Sequence, residues 1–448
     1  MFSKISKFLK DRRGNVLVTT AIAAPVMAGF AGLAVDVGHT LYSKAQLRGG
    51  TEVAALNLAE TFTASNNFSV THAAERNHSN SIASSILMAQ QELPDGLAYA
   101  AISNTDIELG EWDSENEIFS PFVPNSQLIL NAARVNGELS AERDNNISTY
   151  FGRMFGYEPD LRVTAHAAAP LVPSIHALNP SSDGAFTQHA GADTDSASIW
   201  VNSDSERAFV GFPSAGHGSG AIIVNGGSSH SASKIWENKF MLPDLLAEQP
   251  EPARPPVCEH TDLEIDNPGQ VVLSPGSYCG GITIRDASLV SLLPGIYHFM
   301  DGPLLLEGDV RVEGRDVLLH FDGSGAVLNI QNGELAVGGR EDDLYQGFVV
   351  FGSRNASSFD QHIISNARAE FSGVVYLPAS PIMFRSALIN GKCHSLCLVA
   401  DTINVDDGAF LNWYEGFNLT GYLASTPRIA PTVLQPYLRP YLIFPEDG

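Results

Sequence analysis

The cysteines are the residues whose chemistry is easiest to interpret from the sequence. Cys258, Cys279, Cys393 and Cys397 are the four in the chain, and His260 lies near the first of them. If this part of the chain is exported, the local disulfides Cys258–Cys279 and Cys393–Cys397 are favoured, although four cysteines permit three complete pairings. A zinc site of Cys258, His260, Cys393 and Cys397 is the alternative, but the spacing is not that of a standard zinc module. The order Cys-His-Ser-Leu-Cys does not fit covalent haem attachment.

Two acidic clusters could bind calcium or supply an acid and a base. One is Asp406 with Asp407, the other is residues 341–343, and Arg315 or Arg340 could stabilise an anion. Acidic clusters in turns are more often solvated corners, so we predict no metal site and no catalytic residue here. The sequence also lacks a Gly-x-Ser-x-Gly elbow, a His-Glu-x-x-His pair and a Walker A loop. We therefore expect a protein that is not an enzyme and holds no cofactor.

The composition is that of a folded, β-rich protein. Of 448 residues, 44% are hydrophobic and only 17% are charged, and 40 Gly with 25 Pro favour many short elements joined by turns. The net charge is −24, although the first thirteen residues are basic. Because an acidic body repels phosphate backbones, we exclude nucleic acid as a partner.

A membrane segment follows the basic tip. Residues 15–35 carry no charge and are bounded by Arg13 and Asp36, and as a helix they would span about 30 Å, the thickness of a bilayer core. A cleaved signal peptide is the alternative, but its apolar region is usually shorter. The positive-inside rule places the N-terminus in the cytoplasm and exports the rest of the chain.

Small residues recur along one face of that segment. Ala24, Ala28 and Gly32 are spaced by four, which would let a second helix approach closely. An anchor that is simply rich in Ala and Gly explains the same pattern equally well.

The N-terminal region resembles TadG-like proteins of the Flp (tight adherence) pilus-assembly system. That family has an Arg-Gly start, an Ala/Gly-rich helix, a Val-Asp-Val-Gly segment and an Ala-rich helix, and the residues that match this pattern are Asp36, Gly38, Tyr42, Gln46, Leu47, Ala54 and Ala55. Gly49 and Gly50 depart from it and predict a bend in the helix. The segments IELGEWDSENEIF, NAARV and STYFGRMFGYEPDLRVTAHAAA follow the second part of the pattern.

The resemblance implies an assembly protein that stays anchored. Related pseudopilins are cut after a Gly that is followed five residues later by Glu, whereas here Gly14 is followed at that distance by Thr19. The missing carboxylate argues against prepilin-peptidase processing and against a polymerised pilus subunit.

Beyond residue 172, short apolar runs alternate with Gly, Asn and Asp turns. Pro-Gly-Ser-Tyr at 275–278 recurs as Pro-Gly-Ile-Tyr at 294–297, and the intervals are too short for crossover helices. Coils of about twenty residues that bury one face against their neighbours favour a right-handed β-helix, with a β-sandwich as the alternative. The fold class is therefore mainly β, with a transmembrane helix, a small α+β region and a β-helix.

The predicted organisation has seven segments. They are a cytoplasmic tip (1–14), a transmembrane helix (15–35), a TadG-like α+β region (36–172), a Ser/Gly-rich β region (173–249), a Pro-rich linker (250–257), a β-helix-like domain (258–425) and a Pro/aromatic tail (426–448). We expect the tail to cover an edge of the folded body, with partner binding as the alternative.

The predicted function is structural. We expect a single-pass protein of the bacterial inner membrane, with its body in the periplasm or outside the cell, that acts through contacts with other pilus-assembly or envelope proteins. The alternative is a β-helical adhesin or carbohydrate-active envelope protein that binds a surface polysaccharide.

Overall fold

A computed structural model gives the fold. It describes residues 12–65, 101–113, 117–122, 129–196, 198–211, 221–230, 235–266, 268–285, 289–357, 359–394, 396–413, 423, 430–434 and 439–443. The chain divides into an N-terminal unit (Met1–Thr61, Thr71–Ala168 and Pro440–Gly448) and a solenoid unit (Phe62–Val70 and Ala169–Arg439). The apolar residues Ile82, Ile86, Leu87 and Met88 predict a helix, and this segment lies outside the described residues.

Helix α1 is a single element from Arg12 to Ser65. It includes Pro25, and it continues without interruption through Gly49 and Gly50, where the sequence predicted a bend. Gly50 is buried, so packing against the body compensates for the weak helix propensity of the glycine pair.

The second half of α1 lies along an antiparallel sheet of five strands. In sheet order these are β2 (Ile118–Pro121), β1 (Ile107–Asp113), β3 (Ala132–Leu139), β4 (Leu161–Ala168) and β31 (Tyr441–Ile443), numbered along the chain. Helical residues Leu47 and Leu58 are fully buried in the two clusters that α1 forms with this sheet. Short 3₁₀ turns occur at Asn104–Asp106, Ala141–Arg143 and Gly152–Phe155.

The tail supplies the edge strand of this sheet. Tyr441–Ile443 pairs antiparallel with β4, with Tyr441 opposite Ala168. This part of the tail covers an edge, as expected, because it satisfies backbone groups that β4 would otherwise present to solvent. Tyr437, Leu438 and Phe444 lie outside the described residues.

The solenoid unit is built from two parallel sheets. Its smaller sheet has eight strands, which are β7 (Asp193–Ser196), β13 (Gln270–Leu273), β15 (Leu289–Leu292), β18 (Arg311–Gly314), β21 (Gly333–Gly338), β24 (Ala367–Ser372), β27 (Leu388–Lys392) and β30 (Phe410–Trp413).

The larger sheet has eighteen strands. They are β5 (Ile175–Ala177), β6 (Phe186–Gln188), β8 (Ser198–Val201), β9 (Phe209–Gly211), β10 (Ala221–Val224), β11 (Ile235–Trp236), β12 (His260–Asp266), β14 (Gly276–Arg285), β16 (Gly295–Met300), β17 (Leu304–Glu307), β19 (Val317–Asp322), β20 (Leu328–Ile330), β22 (Phe348–Gly352), β23 (His362–Ser365), β25 (Val374–Leu377), β26 (Ile382–Arg385), β28 (Leu398–Ala400) and β29 (Ile403–Asp406). The two sheets form a parallel β-solenoid of about 10 turns, which confirms the predicted fold class over the β-sandwich.

The repeated Pro-Gly-x-Tyr motif forms equivalent corners. The hydroxyl of Tyr278 donates to the carbonyl of Ser274 at 2.5 Å, and that of Tyr297 donates to the carbonyl of Leu293 at 2.9 Å. A Cβ on Gly295 would lie 2.6 Å from Cβ of Pro275, so only glycine allows the two corners to stack. Each repeat thus ties its turn to the strand that follows.

The order of coils in the stack differs from their order in the chain. The last coil (β28, β29 and β30) pairs in parallel with the first coil of the unit (β5, β6 and β7), and β8, β9 and β10 continue from there. The chain therefore begins the solenoid inside the stack, with β5, β6 and β7. It adds coils toward one end as far as β10 and β11, and it continues at the opposite end with β12.

A segment that we call the strap, residues 239–257, connects those two ends. It runs lengthwise over the larger sheet, and its contacts follow the order of the coils. Along the strap these contacts are Trp200 to Phe240, Asn202 to Leu242, Tyr376 to Asp244, Arg354 to Leu246 and Gln249, His320 to Glu251, Asp322 to Arg254 and Ser277 to Val257. The prolines near its end thus belong to a packed segment.

Arg354 and an apolar cluster bind the middle of the strap to the sheet. The guanidinium of Arg354 stacks on the rings of Phe351 and Tyr376, and its Nη2 donates to the carbonyls of Leu246 at 3.1 Å and Gln249 at 2.7 Å. The strap leucines at 245 and 246 pack in the same apolar cluster. A connection of this length over a sheet needs such contacts to offset the entropy of ordering it.

Candidate functional site

The exposed first half of α1 is the apolar segment predicted from the sequence. Within the described residues, one helix is long and apolar enough to cross a membrane. Ile22, Met27 and Phe30 project from it with about two-thirds or more of their surface exposed, at 67%, 70% and 69%. A helix satisfies all its backbone groups internally, so such a surface is stable in lipid and costly in water.

Asp36 connects the end of this apolar run to the folded unit. Its carboxylate accepts hydrogen bonds from the backbone N–H groups of Tyr150 (2.6 Å), Phe151 (2.9 Å) and Gly152 (2.6 Å). The residue is only 3% exposed, and the hydroxyl of Thr40 donates to its carbonyl oxygen. Three N–H donors converge on the Asp36 carboxylate and hold the loop against the helix, where the uncharged run ends.

Gly32 allows the loop to approach the helix one turn earlier. A Cβ at this position would lie 2.5 Å from Cγ of Phe151, so the phenyl ring occupies the space that a side chain would need. Ala24 and Ala28, on the same face, are exposed. Of the predicted small-residue face, Gly32 therefore contacts Phe151 of the same chain, whereas Ala24 and Ala28 remain exposed to a second helix.

Hydrogen bonds within the loop also stabilise it. Thr149 Oγ1 donates to the carbonyl of Tyr157 at 2.8 Å, and the N–H of Tyr157 donates to the carbonyl of Gly152 at 3.0 Å. Gly156 closes the turn with φ of 71°, a conformation that favours glycine. Residues 149–157 therefore form a defined loop.

A partly buried ion pair stabilises the start of the same β3–β4 connection. Arg143 binds both carboxylate oxygens of Asp106, at 2.7 and 2.6 Å. Burial by itself raises the pKa of Asp106, but the Arg143 guanidinium and the N–H and hydroxyl of Ser103 outweigh it and hold the pKa below its usual range. The carboxylate stays charged, and the pair fixes the 3₁₀ turn that leads toward the loop.

All four cysteines are in disulfides. Cys258 is bonded to Cys279 and Cys393 to Cys397, with Cα atoms 5.7 and 5.4 Å apart, which are the two local pairs favoured from the sequence. Cys258 and Cys393 therefore belong to different bridges and are not available together as thiolate ligands with His260. In the described ranges, no three His, Cys, Asp or Glu side chains are grouped to hold a metal ion.

The two acidic clusters lie in ion pairs at corners of the solenoid. Arg385 lies 3.4 Å from Asp406 and 3.2 Å from Asp407. Arg340 lies 2.7 Å from both Asp316 and Asp343. Arg340 and Arg385 each form an ion pair with a carboxylate of a neighbouring turn, so these charged residues stabilise the stacking of turns.

Sequence reasoning did not identify two of these features. In the sequence, Asp36 marks the boundary of the apolar run and matches the family pattern, but its loop partners lie more than a hundred residues away. The prolines at 250–257 predict a linker, but no sequence feature indicates that residues 239–257 pack along the sheet. The available signal for Asp36 was an isolated acid directly after an apolar helix, which many anchors share.

Comparison with known protein families gives two matches. Residues 14–57 match the TadE/G-like Flp pilus-assembly family, and residues 39–169 match the Tad-like Flp pilus-assembly family. The second match includes Asp36's loop partners, the four strands β1–β4 and most of the helix that packs on them. No curated protein and no solved structure gives a significant match to the chain.

Proposed function

We propose that this chain is a structural component that positions a solenoid outside the cytoplasm. Two findings support the proposal: the chain is a single-pass membrane protein, and its residues 14–57 and 39–169 match Flp pilus-assembly families. It acts through contacts with other pilus-assembly or envelope proteins and catalyses no reaction. Nucleic acid is not among its partners.

The proposed orientation rests on charge and on the cysteines. Five basic residues precede the apolar run and Asp36 follows it, so the positive-inside rule leaves the tip in the cytoplasm. The two disulfides of the solenoid fit an oxidising compartment such as the periplasm.

The observation that carries the proposal is the junction at Asp36. An anchor that only tethered a domain would end in a free linker, whereas here the helix continues to Ser65 and its Asp36 holds the folded unit by three backbone N–H groups. The N-terminal unit is thereby fixed relative to the apolar part of the helix. Fixed placement suits a protein that organises partners at a membrane.

Fractionation with protease accessibility on a C-terminally tagged chain tests topology and retention together. We expect full-length protein in the inner membrane, with its tag cleaved only after the outer membrane is opened. Full-length protein dissolved in the cytosol would refute the anchor. A tag cleaved in intact cells would instead place the body at the cell surface.

The partner class needs a separate experiment. Co-purification of the tagged chain with the secretin or the platform proteins of the same pilus system would support the assembly role. The alternative is a β-helical adhesin that binds a surface polysaccharide. Saturable binding of purified envelope polysaccharide, without any pilus component, would favour that alternative.

A further inference from the structure

The loop of residues 150–157 carries an exposed apolar surface that the packing of the N-terminal unit does not use. Its sequence is Tyr-Phe-Gly-Arg-Met-Phe-Gly-Tyr, and Phe155 and Met154 are 87% and 78% exposed. Tyr150 and Tyr157 are also exposed, at 66% and 59%. Four large apolar or amphipathic side chains in eight residues form a patch that is unfavourable in water.

The contacts of this loop with α1 determine its depth relative to the apolar run. Its backbone binds Asp36, the first charged residue after that run, and the ring of Phe151 lies on Gly32, which is about 6 Å further along the helix into the run. If residues 15–35 fill the hydrocarbon core, the loop lies at the level where that core meets the headgroups.

From this placement we propose that residues 150–157 are a second membrane contact, inserted into the headgroup and acyl boundary of the leaflet that α1 leaves. Met154 and Phe155 enter the acyl region, and Tyr150 and Tyr157 lie at the interface with their hydroxyls toward water. This inference rests on the proposed function, because it requires α1 to remain in the bilayer.

The chemistry of the loop matches a lipid interface. Tyr is enriched at both membrane surfaces because its ring is apolar and its tip is polar. Arg153 is exposed beside Met154, and with His39 it borders a shallow pocket between α1 and the loop. At the proposed depth its guanidinium lies at the level of the lipid phosphates.

The charge of the loop differs from that of the rest of the protein. The chain has a net charge of −24, yet residues 150–157 contain no Asp or Glu. The next acids, Glu158 and Asp160, accept hydrogen bonds from the Asn146 side chain and from the N–H of Ala141. An acidic body is repelled from anionic lipid, so a neutral-to-basic loop at the helix exit is where it can meet the membrane.

The consequence is attachment at two points. A helix alone leaves the body free to tilt about the point at which the chain exits the bilayer. A loop held to that helix at Asp36 and inserted beside it restricts this tilt, and so sets the direction in which the N-terminal unit faces partners.

Spin labels on the full chain in phospholipid nanodiscs test the insertion. The native cysteines are all in disulfides, so Met154→Cys and Phe155→Cys each provide one free thiol. Ile118→Cys is the matched control, since Ile118 is also an exposed apolar residue but lies at the opposite end of the sheet, about 30 Å from the β3–β4 connection. Val26→Cys reports whether α1 itself is in lipid.

We expect the labels at 154, 155 and 26 to collide more often with oxygen, which concentrates in lipid, than with a water-soluble nickel complex, and the label at 118 to show the reverse. Lipid accessibility at 26 with water accessibility at both 154 and 155 would overturn the second contact while leaving the anchor intact. Water accessibility at 26 would overturn the anchor and the loop together.

Discussion

Tyr376→Phe should release the middle of the strap. The hydroxyl of Tyr376 donates to Oδ2 of Asp244 at 2.7 Å, while Oδ1 of the same carboxylate accepts from the N–H of Leu246. Burial and the Asp244 charge raise the pKa of Tyr376, so the hydroxyl remains a donor throughout the physiological range. The substitution removes this donor and leaves the fully buried ring in place.

The expected cost follows from the kind of hydrogen bond that is lost. A hydrogen bond to a charged group contributes about 1.5–3 kcal/mol to stability. Asp244 is half-buried and can recruit water, so we expect the lower part of that range, about 1.5–2 kcal/mol. Local opening of the strap would then become about 10- to 30-fold more frequent.

Native-state hydrogen exchange measures this opening directly. The N–H groups of Leu246, Ala247 and Gln249 are bonded within the strap and report on it, whereas amides of β22 and β25 beneath it report on the sheet. We expect faster exchange in the strap amides and little change in the sheet amides.

Tyr345→Phe is the matched control. Tyr345 packs against the same apolar cluster, and its hydroxyl has no hydrogen-bond partner among the described residues. Equal exchange in the two variants, or strap exchange in Tyr376→Phe at the wild-type rate, would refute the idea that the Tyr376 hydroxyl locks the strap.

Three further predictions concern the disulfides, the junction and pH. Replacing Cys258 and Cys279 by Ser should lower the free energy of unfolding by about 3 kcal/mol in denaturant titrations, and more than the same change at the 393–397 bridge, which closes a much shorter loop. Asp36→Asn should speed amide exchange in residues 150–152 while α1 stays in the membrane fraction, because an amide cannot accept from all three N–H groups; unchanged exchange would contradict the junction. Burial, with His320 nearby, lowers the pKa of His298 to about 4, and burial lowers the pKa of His176 to about 4 and that of His362 to about 3. Thermal stability should therefore fall as pH drops from about 6.5 toward 4, where the unfolded state takes up these protons first. His298→Asn should make that fall shallower by removing one of the three contributions.

Much of the fold was accessible from the sequence because it depends on local patterns. An uncharged run of bilayer length predicts a membrane helix, and runs such as Ser198–Val201 and Ala221–Val224 coincide with strands of the structure. The Pro-Gly-x-Tyr repeat indicated stacked corners, since glycine and tyrosine act there within five residues of each other. The family resemblance over the first 170 residues is confirmed by both family matches.

The candidate site was less accessible because its parts are distant in sequence. The sequence of residues 150–157 follows the family pattern, and nothing in its composition shows that its backbone binds Asp36. Backbone N–H groups have no residue type, so no motif marks them. The sequence also cannot distinguish two roles for Gly32: close packing against a second helix, or contact with the ring of Phe151.

Local patterns in the sequence predict the kinds of element: a membrane-length helix, short strands that alternate in burial, glycine corners and four cysteines that favour local disulfides. The tertiary structure decided their arrangement. In a solenoid, any coil of the right width can stack on any other, so local patterns do not predict that β28 pairs with β5. They also do not predict that residues 239–257 extend along the length of the stack. Only the packed chain, by burying those surfaces and satisfying the Asp36 carboxylate, selects one order.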